Sequence, residues 1–357
     1  MIKIETKIWK ISADSVKAAD PEIQEIAALL QEGQVIAFPT ETVYGLGANA
    51  LNEQAVEKIF TAKGRPSDNP LIVHIASTDQ LADLVASVDK RSQKLIENFW
   101  PGPLTIVFPK KEGISSLISA GLPTIAVRMP SHPVALAIIR AANLPIAAPS
   151  ANRSGRPSPT TAAHVLQDLS GLIAGVVDGG EAGIGVESTV IDVSGQIPLI
   201  LRPGGITVEQ LKGVIDEIQI DPGLLNELDK PKSPGMKYTH YAPNGEMWII
   251  SGSDQQKIIS EANKRLQDAK ERGLTTGVLT ITDYQEYFTG VHALQAYGSS
   301  DDLYPLAEHL YGALRSFDSL GVEYIIAPAV VEEGIGLAIM NRMVKAAGGR
   351  IVNVDNL

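Results

Sequence analysis

The stretch Lys63-Gly64-Arg65-Pro66-Ser67-Asp68-Asn69-Pro70 leads directly into the apolar run Leu71-Ile72-Val73, which ends at His74. The apolar spacing of residues 55–60 predicts a helix before this stretch, and the short apolar run predicts a buried strand after it. The turn between them carries two cations, and its two prolines restrict the backbone. We interpret it either as an anion-binding loop or as a solvated helix end whose cations offset the helix dipole.

The composition favours a two-domain protein of the α/β type. The 357 residues exceed the about 250–300 that one hydrophobic core usually serves, and the 44% of hydrophobic residues excludes global disorder. The absence of cysteine excludes disulfides, thiolate nucleophiles and cysteine-based metal sites, and it is consistent with the cytoplasm. The net charge of −11 disfavours general nucleic-acid binding, so any anion site must be local. The sequence predicts neither a membrane span nor a signal peptide.

Periodicity and turn signals divide the chain into two α/β domains joined by a proline-rich segment. Residues 1–217 alternate strands and helices irregularly, which predicts a twisted mixed sheet with helices outside it. Residues 218–245 have little periodicity, and a long loop of this kind is a linker or an active-site lid. Residues 246–357 alternate regularly, which predicts a small parallel Rossmann-like domain.

Short motifs give both positive and negative information. Ser253 with Gln256 predicts a capping box that opens a helix of the second domain. The chain contains no P-loop, no His-Glu-x-x-His and no Gly-x-Ser-x-Gly motif. Three glycine pairs begin a Gly-x-Gly-x-x-Gly pattern without completing it, and each is more typical of a turn: Gly45/Gly47, Gly183/Gly185 and Gly334/Gly336.

Polar or cationic loops recur at the ends of predicted strands in the first domain. Besides the cation turn, they are Thr40-Glu41-Thr42, Arg128 after Thr124–Val127, Ser150 to Ser158, Glu187-Ser188-Thr189, and Arg202-Pro203-Gly204-Gly205. Small residues and hydroxyls let backbone N–H groups face an anion, and a planar guanidinium suits a carboxylate. Together these loops predict one cleft that binds a triphosphate and a small carboxylate.

Each loop taken alone has an alternative interpretation. The hydroxyls of Thr40 and Thr42 are equally able to bond their own turn. Arg128 is equally suited to a structural salt bridge with an internal glutamate. His74 either lines the cleft or is a core residue whose hydrogen bonds are satisfied. Four histidines near predicted helices are expected to be structural or exposed: His132, His164, His292 and His309.

The same segments resemble the YrdC/Sua5 family. They are residues 39–46, Lys63-Gly64-Arg65-Pro66 to His74, Ser150-Ala151-Asn152, Glu187-Ser188-Thr189 and Arg202-Pro203-Gly204. In order and spacing they are similar to the two-domain Sua5 type of threonylcarbamoyl-AMP synthase. The resemblance covers nearly the whole chain, including the proline-rich segment and the second domain.

The resemblance implies a reaction in which L-threonine, bicarbonate and ATP give threonylcarbamoyl-AMP and pyrophosphate, for the threonylcarbamoyladenosine modification of tRNA. It implies Mg²⁺ brought by the nucleotide, and no protein ligand is assigned to it. It also leaves room for a weak contact with tRNA and for hand-over of the product to the downstream threonylcarbamoyl-transfer machinery. Positioning and charge stabilisation would supply the catalysis, which agrees with the absence of a nucleophile motif.

The resemblance further implies roles for individual residues. The catalytic residues would be those that offset triphosphate charge: Lys63, Arg65 and Arg202. The threonine pocket would contain Thr42, His74, Arg128, Ser150 and Ser188, with Arg128 at the carboxylate. ATP would contact Lys63, Arg65, Asn69, Thr124, Ala148, Ser158, Arg202 and Tyr241. In this set Ala148 acts through its backbone, and Tyr241 closes over the nucleotide from the lid.

Two other functions compete with this one. The first is an RNA-binding module, against which the acidic charge and the lack of a long basic stripe argue. The second is a carbamoyltransferase of the kind that matures hydrogenases and carries a similar domain. That larger protein also needs cysteine-rich zinc fingers, which a chain without cysteine cannot form.

Overall fold

The computed structural model describes residues 4–225 and 241–357. Of the segment expected to be a linker or lid, residues 226–240 lie outside the described residues. The chain divides into two compact units, Met1–Ser154 with Ser158–Lys237 and Gly155–Pro157 with Tyr238–Leu357. No helix within the two described ranges is long and apolar enough to cross a membrane.

The first unit is built on an 11-stranded mixed sheet. Its strands are β1 Lys7–Lys10, β2 Ile36–Phe38, β3 Gly45–Asn49, β4 Ile72–His74, β5 Leu104–Pro109, β6 Thr124–Arg128, β7 Ile146–Ala147, β8 Gly175–Asp178, β9 Thr189–Asp192, β10 Leu199–Arg202 and β11 Gln219–Ile220. They lie in the order β1-β8-β2-β3-β7-β4-β6-β5-β9-β10-β11. The loops expected to form the cleft therefore come from neighbouring strands in the middle of this sheet and toward its β10 side.

Helices cover the sheet of the first unit. They are α1 Pro21–Gln31, α2 Glu53–Lys63, α3 Lys90–Phe99, α4 Ser116–Ser119, α5 Pro133–Ala142, α6 Ala162–Leu169, α7 Val208–Lys212 and α8 Pro222–Leu225, with a 3₁₀ helix at Thr78–Asp83. The apolar stripe of α1 (Ile23, Ile26, Ala27 and Leu30) is buried in a continuous core, and α1 packs against α5. Apolar residues spaced at the helical period of 3.6 thus place one side of α1 in the core.

Helix α2 ends where its sequence places the cation turn. The side chain of Asn52 caps its start by accepting a hydrogen bond from the Ala55 N–H. Gly64 ends it with a φ of 60° in the left-handed region, which glycine enters at little cost. Lys63 is therefore the last residue of the helix, and the chain turns sharply after it.

Strand β3 was expected to be a turn, because Gly45 and Gly47 begin an incomplete glycine motif. It is instead a strand that pairs antiparallel with both β2 and β7. A Cβ on Gly47 would lie 2.5 Å from Cε1 of Phe38 and 2.8 Å from Cγ2 of Ile146. Close packing, and not a turn, therefore requires the glycine at position 47.

The first unit continues beyond residue 217, where we expected its domain to end. Strand β11 pairs parallel with β10 and joins Gln219 to Leu199 and Ile220 to Ile200. Thr207 caps α7 through a reciprocal capping box with Gln210. The domain boundary itself stays a prediction.

The second unit contains a five-stranded sheet in which all strands are parallel. Its elements are β12 Glu246–Ser251, α9 Gln255–Glu271, β13 Thr276–Thr280, β14 Ala293–Ala296, α10 Tyr304–Ser319, β15 Tyr324–Pro328, α11 Gly336–Ala346 and β16 Ile351–Asn353, with 3₁₀ helices at Thr282–Tyr287 and Val354–Asn356. The strand order is β14-β13-β15-β12-β16. Helices alternate with parallel strands here, as the regular rhythm of the sequence predicts.

The cap of α9 differs from the expected Ser253–Gln256 capping box. Asp254 is the N-cap residue, and its carboxylate accepts hydrogen bonds from the N–H groups of Gln256 and Lys257. Ser253 is bonded elsewhere, through its N–H and hydroxyl to the Asp355 carboxylate. Both residues suit a cap by composition, and the distant partner Asp355 decides between them.

Candidate active site

Arg128 is the last residue of β6, and its side chain is buried. Its Nε donates to the Gly102 carbonyl at 3.2 Å, and its Nη1 donates to Thr42 Oγ1 at 2.9 Å. Its Nη2 lies 2.7 Å from Oε1 of Glu41. Contacts on three sides fix the plane of the guanidinium, so that any ligand must adapt to it.

Glu41 is the internal glutamate that the alternative interpretation of Arg128 requires. Its side chain is 13% exposed, and its carboxylate faces the guanidinium directly. Burial alone would raise the pKa of Glu41, but the charge of Arg128 and its hydrogen bond outweigh burial and hold that pKa below its usual value. The pair is therefore a buried ion pair with both groups charged, and this does not exclude a ligand on the remaining N–H groups of Arg128.

The Thr40–Val43 turn places a second polar group against Arg128. Thr40 Oγ1 donates to the Val43 carbonyl at 2.6 Å and lies 2.9 Å from Thr42 Oγ1. Both threonine side chains are buried. The hydroxyls thus do bond within their own turn, as one interpretation predicts, and Thr42 also reaches Arg128.

His74 ends β4 and lies opposite Arg128 in the parallel pairing of β4 with β6. Its ring is buried and meets the ring of Phe38 edge to face, with the centroids 6.5 Å apart. Burial, followed by the positive charge of Arg128, lowers the pKa of His74 to about 3. Its Nδ1 is buried, and no hydrogen-bond partner for it exists within the part of the chain that the structure describes. The imidazole is therefore neutral and has a polar atom available to a ligand.

Lys63 is buried beneath the loop that follows β7. Its ammonium donates to the carbonyl oxygens of Ser150 and of Asn152, the latter at 2.6 Å. Ser150 Oγ donates to Asn152 Oδ1 at 2.6 Å, and Ser150 forms an antiparallel bridge with Gly45. These bonds orient the ammonium through carbonyl oxygens, which do not carry a full negative charge.

Arg202 ends β10 and holds the loop before β9. Its Nε and Nη2 both donate to the Ser188 carbonyl, at 3.1 and 2.9 Å, and Nη2 also donates to Ser188 Oγ at 3.1 Å. Ser188 Oγ lies 2.8 Å from Thr105 Oγ1 on β5. Arg202 and Ser188, expected at ATP and at threonine respectively, are thus in direct contact.

Ser158 and Glu187 form a second buried polar pair. Ser158 Oγ donates to Glu187 Oε1 at 2.7 Å, and both side chains are buried. Glu187 precedes Ser188 in the chain, so this bond ties the Ser158 segment to the loop that Arg202 holds. In the cation turn, Arg65 Nη2 donates to the carbonyls of Asn69 and Pro70, at 3.4 and 3.3 Å.

The remaining expected residues lie in separate places. Ala148 follows β7, and its N–H donates to the Ile72 carbonyl at 2.9 Å. Thr124 begins β6 and so lies at the opposite end of that strand from Arg128. Tyr241 belongs to the second unit, where its buried ring packs on Tyr311 with the centroids 5.1 Å apart. Residues 226–240 of the segment expected to be a lid lie outside the described residues.

The expected site residues thus form four groups joined by direct contacts or strand pairing: Thr42, His74 and Arg128; Lys63 and Ser150; Arg65 and Asn69; and Ser188 and Arg202. Ser150, expected beside threonine, is bonded to Lys63, which we expect beside ATP. The structure adds three polar partners that were not among the expected site residues. They are Glu41, Asn152 and Glu187, and all three lie inside motifs already quoted. Among residues 4–225 and 241–357, no three histidine, aspartate or glutamate side chains lie close enough together to hold a metal ion.

Comparison with known proteins identifies the family. A family model described as "Telomere recombination" matches residues 28–204, and one described as "Threonylcarbamoyl-AMP synthase, C-terminal domain" matches residues 206–348. The chain is 51% identical to the threonylcarbamoyl-AMP synthase of Bacillus subtilis (strain 168), over 98% of this chain and 100% of that protein. The chain belongs to the threonylcarbamoyl-AMP synthase family.

Other members of the threonylcarbamoyl-AMP synthase family agree in sequence and fold. The synthase of Pyrococcus abyssi (strain GE5 / Orsay) is 48% identical, over 93% of this chain and 96% of that protein. The crystal structure of P. abyssi Sua5 complexed with L-threonine superposes with a TM-score of 0.91 at 45% identity, covering 98% of this chain and 99% of that one. The family, the two-domain α/β fold class and the class of enzyme expected from the sequence are thereby confirmed.

Proposed function

We propose that this chain makes threonylcarbamoyl-AMP and pyrophosphate from L-threonine, bicarbonate and ATP, and that its product serves the threonylcarbamoyl modification of adenosine in tRNA. The observation that carries the proposal is the full-length likeness to a Sua5 structure that holds L-threonine. The buried Arg128 and the cationic loops suit the two substrates, a small amino acid and a triphosphate.

The proposed chemistry needs no protein nucleophile. The amine of threonine adds to the carbon of CO₂, which bicarbonate supplies on dehydration, and the nitrogen loses a proton to form a carbamate. A carbamate oxygen then attacks the α-phosphorus of ATP, and the bond from that phosphorus to the bridging oxygen breaks as pyrophosphate leaves. Charge develops on the departing pyrophosphate, so fixed cations are the catalytic groups that this step requires.

Lys63, Arg65 and Arg202 are the cations that we assign to the triphosphate. The hydrogen bonds described above hold each of them by backbone carbonyl oxygens. Such bonds fix the position of a cation before the substrate arrives, which lowers the reorganisation that the reaction requires. We assign the nucleotide contacts to Asn69, Thr124, Ala148, Ser158 and Tyr241 together with these three cations.

Arg128 is the group that we assign to the carboxylate of threonine, with Thr42, His74 and Ser188 around it. A guanidinium in a fixed plane suits a carboxylate because two parallel N–H groups match two oxygens. We keep Ser150 in this set as expected from the family, and the hydrogen bond that its carbonyl accepts from Lys63 supports a further role on the nucleotide side.

Mg²⁺ and bicarbonate complete the proposed reaction. The described residues offer no cluster of carboxylates or histidines for a metal, and Mg²⁺ commonly binds through substrate phosphates and waters. We therefore assign Mg²⁺ to the triphosphate and give it no protein ligand. Weak contact with tRNA and hand-over of the unstable product to the transfer machinery also belong to the proposal.

The experiment that tests this function measures pyrophosphate release from ATP, with L-threonine and bicarbonate each present or omitted. We expect release that needs both, with AMP recovered as the product breaks down. D-threonine at the same concentration serves as a control for stereospecific binding. Release without threonine, or ATP binding without release under any condition, would contradict the proposal.

A further inference from the structure

Glu41 has no role in the proposed reaction, although it lies against a residue assigned to the threonine carboxylate. Its carboxylate is 2.7 Å from Nη2 of Arg128, and the two side chains are 13% and 4% exposed. A buried ion pair is weak evidence for stability, because desolvation offsets much of the attraction between the charges. A buried charge beside a binding site therefore calls for a functional explanation.

The guanidinium of Arg128 has N–H groups to which no described residue is bonded. Arginine has five N–H groups, and the contacts of Arg128 are one hydrogen bond from Nε, one from Nη1 and an ion pair at Nη2. In the described part of the chain, nothing accepts from the second N–H of Nη1 or of Nη2. Each terminal nitrogen thus offers one donor to the two oxygens of a carboxylate.

The side-chain oxygen of Thr42 lies between Thr40 and Arg128 and keeps a lone pair for a ligand. The Val43 carbonyl cannot donate, so the 2.6 Å contact to it takes the proton of Thr40 Oγ1. Thr40 Oγ1 therefore does not donate to Thr42 Oγ1; it accepts from the N–H groups of Thr42 and Val43, and Thr42 Oγ1 accepts from Nη1 of Arg128. The free lone pair of Thr42 Oγ1 can accept a hydrogen bond from an amine or hydroxyl group, and it repels the oxygens of a carboxylate.

The charges around Arg128 sum to zero. Arg128 contributes one positive charge and Glu41 one negative charge, since its pKa lies below the usual value. The neighbouring His74 is neutral. A site without net charge that offers donors on one side and acceptors on the other complements an amino acid in its zwitterionic form.

We propose that Glu41 is the specificity-determining residue of the amino-acid site. It orients Arg128 toward the carboxylate of the substrate, and its negative charge selects a molecule that carries an amino group over the same molecule without one. The inference rests on the proposed function, in which Arg128 and Thr42 belong to the threonine pocket. It assigns to Glu41 no part in the bond-making steps.

The test compares L-threonine with (R)-3-hydroxybutyrate, which lacks only the amino group, by titration calorimetry on the full chain. In Glu41→Gln we expect threonine to bind about 10–100-fold more weakly, which is the scale of a lost charge interaction. We expect hydroxybutyrate to bind as well as before or more tightly, because its single charge meets an uncompensated arginine. The matched control is Glu181→Gln, at an exposed glutamate of the same unit.

If Glu41 had only a structural role, Glu41→Gln would bind both ligands more weakly by the same factor. That outcome would overturn the inference. Unchanged threonine affinity would overturn it as well. Glu41→Asp keeps the charge but shortens the side chain, so we expect weaker binding of both ligands with the preference for threonine preserved; loss of the preference in this variant would also count against the inference. If the wild-type chain bound no threonine at all, the proposed function would fail first.

Discussion

His74 and Arg128 occupy directly opposed positions on two parallel strands, β4 and β6. Parallel pairing brings the carboxyl ends of both strands together, and the loops that follow them begin at one place. The sequence shows these two residues 54 positions apart, each at the end of an apolar run. Strand pairing brings the two residues together, and Arg128 also contacts Glu41 and Thr42.

Replacing Arg128 by lysine should affect threonine far more than ATP. Lysine keeps the positive charge beside Glu41 but loses the forked donor geometry. A charge-assisted hydrogen bond contributes about 1.5–3 kcal/mol, so the KM for threonine should rise by about 10–100-fold. The KM for ATP should change by less than about threefold, since the partners described for Arg128 (Glu41, Thr42 and Gly102) are not residues assigned to ATP. Steady-state pyrophosphate release measures both constants.

Two variants control the Arg128 experiment. Arg140→Lys changes an exposed arginine of α5 and should leave both constants unaltered. Arg128→Ala goes further than Arg128→Lys, because it leaves the Glu41 carboxylate buried without its partner and lowers stability too. A threonine KM that stays at the wild-type value in Arg128→Lys would refute the assignment.

Lys63→Met should lower both stability and the use of ATP. The ammonium donates to the carbonyls of Ser150 and Asn152, and methionine leaves those acceptors without a donor. Leaving buried acceptors unpaired costs about 1–3 kcal/mol, which urea unfolding of the variant should show. The matched control is Lys58→Met on the same helix, where the lysine is exposed and bonds the Gly33 carbonyl. Equal losses of stability and of ATP use in the two variants would contradict a specific role for Lys63.

Gly47→Ala should destabilise the first unit although it adds only a methyl group. The new Cβ would meet Phe38 at 2.5 Å and Ile146 at 2.8 Å. Overpacking of this kind costs about 1–3 kcal/mol. Gly183→Ala is the control, since a Cβ at position 183 meets nothing within 4 Å. Thermal unfolding of both variants decides the question, and a Gly47→Ala protein as stable as the control would contradict the close packing.

The stability of the first unit should fall as the pH drops below about 6.5, because of His74. In the folded protein the pKa of His74 is lowered to about 3, whereas the unfolded chain binds the proton near 6.5. Between these values the unfolded state holds more protons, so acid favours unfolding by up to about 1.4 kcal/mol per pH unit. Above the unfolded pKa the contribution is complete.

The measurement is the urea midpoint of wild type and of His74→Asn at a series of pH values from neutral to acid. The variant should lose the part of the slope that His74 supplies, so the two curves should converge as the pH falls. His292→Asn, at an exposed histidine, removes a histidine without changing the core. Parallel curves for wild type and His74→Asn would contradict the assigned pKa.

Much of the fold could be predicted from local signals. Helix α2 and strands β4 and β6 lie within a few residues of where apolar spacing and turn residues place them, because each depends on neighbours in the chain. One exception is β3, where glycine at position 47 suggests a turn. Glycine is required at position 47 because Phe38 and Ile146 leave no space for a larger side chain. Packing against such distant residues cannot be predicted from the spacing of residues along the chain.

The candidate site divides in the same way. Motif residues such as Lys63, Arg128 and Ser188 could be selected because cations and hydroxyls at strand ends suggest an anion site. Their partners could not be selected, since Thr42 and Arg128 are 86 positions apart and Lys63 and Asn152 are 89 apart. Glu41 lies inside a quoted motif, yet only the folded structure shows that its charge belongs to Arg128.

The pairing of β1 with β8 affects the order in which the chain can fold during translation. Thr6 donates to the carbonyl of Ile173, 167 positions further along. A ribosome adds about 5–20 residues per second, so β1 waits on the order of ten seconds for its partner strand. Contacts of such long range also slow folding, because the loop must close before they form. Strand β1 therefore joins the sheet only after most of the first unit has been synthesised.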